Sequence, residues 1–242
     1  MRFEPRREHS RTTRALVGKR HGETKMVEIK HRQTGKVLHQ LDASTLRGCV
    51  IRGVELRGAN LRNADLSGCH IEGCSLTDSD LNSANLTCAR FVNCVIQKAD
   101  MANSILVNAD FCDIVLDVTR LTNVTGQGSK FRHAKINNAE LTGANLSGSD
   151  FFFCEMKESS LNGADLSGAN LYGADLSGAD FTRADLRRSN MTDAKILGAK
   201  FQFAKMTDAV GTNGRPWGYT AKSSKPTKKK SWWNMFTTRA AL

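Results

Sequence analysis

The chain has 242 residues, with 35 Lys and Arg against 24 Asp and Glu, for a net charge of +11. The excess sits at the two ends: residues 1–38 and 211–242 each carry +7, and the body between them carries −3. A nucleic-acid reading of the high basicity therefore rests on the tails alone, and no apolar run approaches the length of a membrane-spanning helix.

Residues 1–25 are basic and show no hydrophobic pattern, so they read as a disordered segment. They lack the apolar stretch of a secretory leader, and Glu4, Glu8 and Glu23 argue against an organelle transit peptide. The expected location is the cytoplasm. From Met26 to Leu41 the chain alternates apolar and polar residues on both sides of Gln33-Thr34-Gly35, the pattern of a β-hairpin. Residues 26–38 are assigned to this N-terminal cap.

Residues 39–210 are an uninterrupted five-residue repeat. Stepping by five from Leu41 to Met206 meets a large apolar residue at 33 of 34 positions, with Gly126 the exception. Two residues before each centre stands a small side chain, as at Ala64 and Ala164, then a polar one, usually Asp or Asn. Two polar or glycine residues follow, as in Ser67-Gly68. On an extended chain, residues two apart face the same way, so the small and large residues point inward together. The trailing pair suits a corner at which φ turns positive. A helix fits poorly, because a period of five drifts around a 3.6-residue turn and leaves no constant apolar face.

The motif Ala-(Asp/Asn)-Leu-x-x, clean at Ala64-Asp65-Leu66-Ser67-Gly68 and Ala164-Asp165-Leu166-Ser167-Gly168, resembles the pentapeptide-repeat family. The resemblance implies an all-β fold, a right-handed four-sided β-helix solenoid with four pentapeptides per coil. The repeat then fills about 8.5 coils, a rod roughly 40 Å long at strand-like layer spacing.

A period of 20 residues lets each side of such a rod be written out. One side has centres Phe91, Phe111, Phe131 and Phe151 in succession, expected as a ladder along the core. Its outward column runs Arg52, Glu72, Val92, Cys112, Arg132, Phe152, Tyr172 and Thr192. Phe152, Phe153 and Tyr172 are expected as exposed neighbours, since exposed aromatics that cluster mark an interface or are covered by a tail. With Val92 of the same column they form the candidate interaction patch. Arg47, Arg52, Arg57 and Arg62 fall on four different sides and read as a solvated ring around the first coil. Bulky Ile114, Thr119 and Val124 at the small position, together with Gly126 at a centre, predict a kink or a protruding loop near residues 123–129.

Five of the seven cysteines (Cys49, Cys69, Cys74, Cys94 and Cys154) stand at the small inward position and read as reduced core thiols. A disulfide between neighbours one coil apart, or a metal, is the alternative. The histidines show no ligand spacing, and no nucleophile–base set or phosphate loop is present. No enzymatic activity, catalytic residue, metal site or cofactor is expected.

Residues 211–242 form a C-terminal cap and basic aromatic tail, with Trp217 and Tyr219 expected to plug the last coil after Pro216. Lys228, Lys229 and Lys230 beside Trp232, Trp233 and Phe236 have the chemistry to meet an anionic membrane, to bind nucleic acid, or to fold back onto the rod. The reading as a whole is a non-catalytic scaffold for an unidentified protein partner, with a homodimer as a further arrangement. Its alternatives are a DNA-mimic of the gyrase-modulating kind, from which the body at −3 with its arginine ring departs, and a module tethered to membrane or nucleic acid by its tail.

Overall fold

The computed structural model of the chain describes residues 26–218. From Glu55 onward, the polar residue of each pentapeptide pairs in parallel with the residue twenty further on. Glu55, Ser75, Val95, Val115, Lys135, Glu155, Asp175 and Lys195 form one such column, and Asn60, Asp80, Asp100, Arg120, Glu140, Ser160, Asp180 and Lys200 form the next. Twenty residues thus complete one coil, and four pentapeptides make its four sides. Most sides contribute a single bridge, because a corner follows after two or three extended residues.

One pentapeptide shows why the motif folds this way, since all five of its backbone N–H groups are used. Ala164 N–H closes the preceding corner on the Leu161 carbonyl at 3.0 Å. Asp165 N–H reaches back one coil to the Ala144 carbonyl at 2.8 Å. Leu166 and Gly168 N–H reach forward one coil to the carbonyls of Asp185 and Arg187, both at 2.8 Å. Ser167 N–H is left over, and it donates to Asp165 Oδ1 at 2.9 Å. The Asp or Asn of the motif is therefore a corner cap, taking up a donor that no carbonyl reaches. The same bond recurs at Asp65, Asp80, Asp100, Asp150 and Asn190. Each corner also turns φ positive at its second residue, for example +57° at Asn63 and +67° at Gly168, the geometry of a type II turn.

The inward residues are buried. Phe91, Phe111, Phe131 and Phe151 stack with centroids 4.9, 5.3 and 4.9 Å apart and planes within 12° of parallel. The bulky residues at the small position fit without distortion: Ile114 and Val124 are each 1% exposed, and the Thr119 hydroxyl donates to the Ile96 carbonyl at 2.9 Å.

The kink or loop expected near residues 123–129 is absent. Ile105, Thr125 and Asn145 bridge in register, and Gly126 N–H meets the Asn145 carbonyl at 2.7 Å. A Cβ at Gly126 would lie 3.0 Å from both Leu146 Cδ2 and Ser129 Oγ and 3.4 Å from Leu106 Cβ. Neighbouring coils fill the missing side chain's volume, so the backbone has no reason to move.

At the N-terminal end, β1 (Met26–His31) and β2 (Val37–Asp42) form an antiparallel hairpin. β1 also pairs with β4 (Ala59–Asn60), so it lies between β2 and the solenoid and buries Ile29 to 1% exposure. Leu41, counted in the repeat by its spacing, belongs to β2 and pairs with Val27. The remaining strands, β3 (Val50–Arg52), β5 (His70–Glu72) and β6 (Arg90–Val92), stack in parallel on one side. At the other end the Trp217 ring lies 5.1 Å from Phe201, which stacks on Phe181; Trp217 N–H donates to the Ala209 carbonyl. Among the described residues no helix is long and apolar enough to cross a membrane.

Candidate interaction surface

Successive coils put the same corner of the phenylalanine side in one vertical line. Phe131 is followed by Arg132-His133, Phe151 by Phe152-Phe153, and Leu171 by Tyr172-Gly173. Because these corners stack, the side chains meet. Phe152 and Phe153 are edge to face at 4.6 Å, and Phe152 stacks on Tyr172 at 5.5 Å. Phe153 lies 5.7 Å from Tyr172. His133 completes the group, stacked on Phe153 at 6.0 Å and edge-on to Phe152 at 5.6 Å. The Arg132 guanidinium sits 4.8 Å over the Phe152 ring, a cation–π contact, and lies 3.7 Å from Asp150.

Phe153 stays 47% exposed, while Phe152 and Tyr172 are half-buried against their neighbours. Phe153 also adopts a φ of +50°, a conformation that costs a bulky L-residue on the order of 1–2 kcal/mol. Its ring lies over Gly173, where a Cβ would come within 2.6 Å of it; glycine there leaves the floor on which the ring rests. At the far rim, a hydrogen bond to the Asp193 carboxylate raises the Tyr172 phenol above its ordinary value.

The structure brings together three of the four patch residues named from the sequence. Val92 is not among them: it stands in the same column three coils away, with Cys112 and Arg132 between. Arg132 and His133, which the sequence reading left out, belong to the cluster. Their signal was available, since they hold the same two corner positions as Phe152 and Phe153 one period earlier. The tail residues Lys228, Lys229, Lys230, Trp232 and Trp233, with Phe236 and Tyr219, lie outside the described residues.

Other surfaces are less coherent. An open cleft under the hairpin turn is lined by His31, Arg32, Gln33, Arg57, Gly58 and Asp78, but Arg57 and Asp78 already pair across it at 3.1 Å. Of the arginine ring, Arg52 and Arg62 also pair with the next coil, at Glu72 and Asp80. Leu197 and Phe203, 86% and 70% exposed, lie at the C-terminal end on different sides of the coil. Among the described residues no group of three or more His, Cys, Asp or Glu is placed to hold a metal ion.

Comparison with known proteins gives a family and several similar solved structures. A family model for pentapeptide repeats, in eight copies, matches residues 40–78, 74–113, 113–148, 127–163, 149–188 and 174–210. Among solved structures the chain is similar to a trypsin-treated form of QnrB1, a plasmid-mediated fluoroquinolone resistance protein. The identity is 24% over 64% of this chain and 83% of that one, with a TM-score of 0.35. HetL, involved in heterocyst differentiation regulation in the cyanobacterium Nostoc sp. strain PCC 7120, is 24% identical over 69% of this chain and 91% of its own, with a TM-score of 0.26. A pentapeptide repeat protein of the Arabidopsis thaliana thylakoid lumen is 24% identical over 47% of this chain and 67% of its own, with a TM-score of 0.32. No curated protein matches the chain.

Proposed function

The chain belongs to the pentapeptide-repeat family, whose fold is a right-handed β-helix, and on that premise we propose that it is a non-catalytic scaffold binding a protein partner through Phe152, Phe153 and Tyr172. The observation that carries this reading is Phe153, a large aromatic kept exposed in a left-handed corner where most repeats place Gly, Asn or Asp. Folding gains little from a ring held in that position, whereas binding gains the burial of three clustered aromatics. Arg132 and His133 on one rim favour a partner that offers an apolar anchor flanked by carboxylate.

The DNA-mimic alternative is disfavoured by charge. Residues 39–210 carry 17 basic and 20 acidic side chains. Arg52, Arg62, Arg90, Arg120 and Arg132 each lie within 4 Å of a carboxylate one coil away. Carboxylates neutralised in this way do not present the continuous negative surface of a duplex.

The test is affinity capture by the full chain and by a variant with Phe152, Phe153 and Tyr172 changed to Ser. The variant should keep the circular dichroism of the wild type and lose at least tenfold in affinity for the captured partner. Equal affinity would refute the assignment. Light scattering of both proteins tells whether that partner is a second copy of the chain.

A further inference from the structure

Cys49 and Cys69 stand one coil apart at the small inward position, and their sulfurs are 2.8 Å from each other. Cys69 is buried and also donates to the Leu46 carbonyl at 2.7 Å. Cys49 is only half-buried, because its coil is the first and has no further coil beneath it. A second pair, Cys74 and Cys94, repeats the one-coil spacing on the next side and also interacts thiol to thiol, but here both members are buried and each also meets the main chain. Cys74 meets the Glu72 carbonyl at 3.3 Å, and Cys94 meets those of Val92 at 3.3 Å and Ile71 at 3.4 Å. The two pairs thus differ in one respect: the first has a half-buried member, Cys49, and the second has both members buried.

We propose that Cys49 and Cys69 form an oxidation site, at which a peroxide converts the two thiols to a disulfide that ties the first coil to the second. The sulfurs need to close only from 2.8 Å to the roughly 2.05 Å of a disulfide bond, and residues stacked in adjacent parallel layers have Cα atoms within bridging range. The contact also couples the protonation of the two thiols. The hydrogen bond from Cys49 lowers the Cys69 thiol against the effect of burial, and Cys49 is correspondingly raised. The pair therefore loses its first proton as a unit and shares the second between the sulfurs.

The shared proton rests on Cys49, and when it passes across the 2.8 Å contact to Cys69 the Cys49 thiolate, the half-buried one that a peroxide can reach, attacks one peroxide oxygen and breaks the O–O bond. Cys49 becomes a sulfenic acid, and the departing hydroxide takes up from solvent the proton that the pair released on ionising and leaves as water. The Cys69 sulfur then attacks the Cys49 sulfur and expels hydroxide, which takes up the Cys69 proton and leaves as a second water. Two thiols are oxidised, one peroxide is reduced, and the S–S bond forms.

The experiment is peptide mapping of the full reduced chain after hydrogen peroxide, with free thiols alkylated before and after unfolding. The expected product is a Cys49–Cys69 crosslink lacking two hydrogens and reversed by dithiothreitol, with Cys74, Cys94 and Cys154 alkylated only after unfolding. In Cys69→Ala, Cys49 should be trapped as a sulfenic acid that reacts with dimedone. In Cys49→Ala, Cys69 should stay reduced. Ala occupies this position in many of the repeats, so both variants keep the fold, and a circular dichroism spectrum checks this. The proposal is overturned if Cys49 and Cys69 remain reduced while the corner thiols Cys88 and Cys112 oxidise, or if Cys49 reacts equally fast and to the same product whether or not Cys69 is present.

Discussion

Val118 holds the second corner position after Leu116 with a φ of +60°, and it is 52% exposed. A β-branched residue loses about 1–2 kcal/mol in the left-handed region, and here no cluster of neighbours accounts for it, in contrast to Phe153. Equivalent corners at Asn93, Asn103, Asn108, Asn123 and Asn138 show the residue type that tolerates this φ. Val118→Asn should therefore stabilise the protein by about 0.5–1 kcal/mol, raising Tm by about 1–4 °C. A lower Tm in a thermal melt would mean that Val118 packs against something that outweighs its backbone. At this scale the sequence was half legible. Its small, large and polar positions announce which way each side chain faces. The second task of the Asp or Asn, accepting the N–H two residues on, did not show, because facing outward already accounted for a polar residue there.

The solenoid side, with its column of stacked centres, is the unit at which the sequence said most and also misled. Stepping by twenty residues predicted the phenylalanine ladder, and Phe91 through Phe151 stack as expected. The same step treated Gly126 as a hole and predicted a disturbed backbone. What fills the space is Leu146 from the next coil, Leu106 from the preceding one and Ser129 at the next small inward position. How those side chains lean is a matter of three-dimensional packing that no local pattern carries. An inverted expectation follows for mutation. Restoring the repeat with Gly126→Leu looks like repair on paper, yet the new side chain would enter occupied space. It should destabilise the protein by about 1–3 kcal/mol in urea denaturation, and a gain in stability would show that the space is empty.

In the whole molecule, each coil touches only the coils above and below, and the ends differ from the middle. The exposed cross-coil ion pairs add little, about 0–1 kcal/mol each, so cohesion comes from the buried columns and the interlayer hydrogen bonds. A chain stacked this way should respond to damage locally. Ile29 makes this testable, because it is the buried contact of the hairpin that covers the first coil, with 1% of its surface exposed. Ile29→Ala should cost about 2–4 kcal/mol, felt first where β1 pairs with β4. In native-state hydrogen exchange, the amides of Gly58 and Leu61, which bond to the Thr77 and Asp80 carbonyls, should exchange faster by tenfold or more. Those of Leu161 and Leu166, bonded in the same way to Asp180 and Asp185, should keep their wild-type rates. If all four accelerate together, the rod unfolds as one cooperative unit. An end cap would then govern the stability of the aromatic patch five coils away, and the hairpin would have to be counted among the determinants of partner binding.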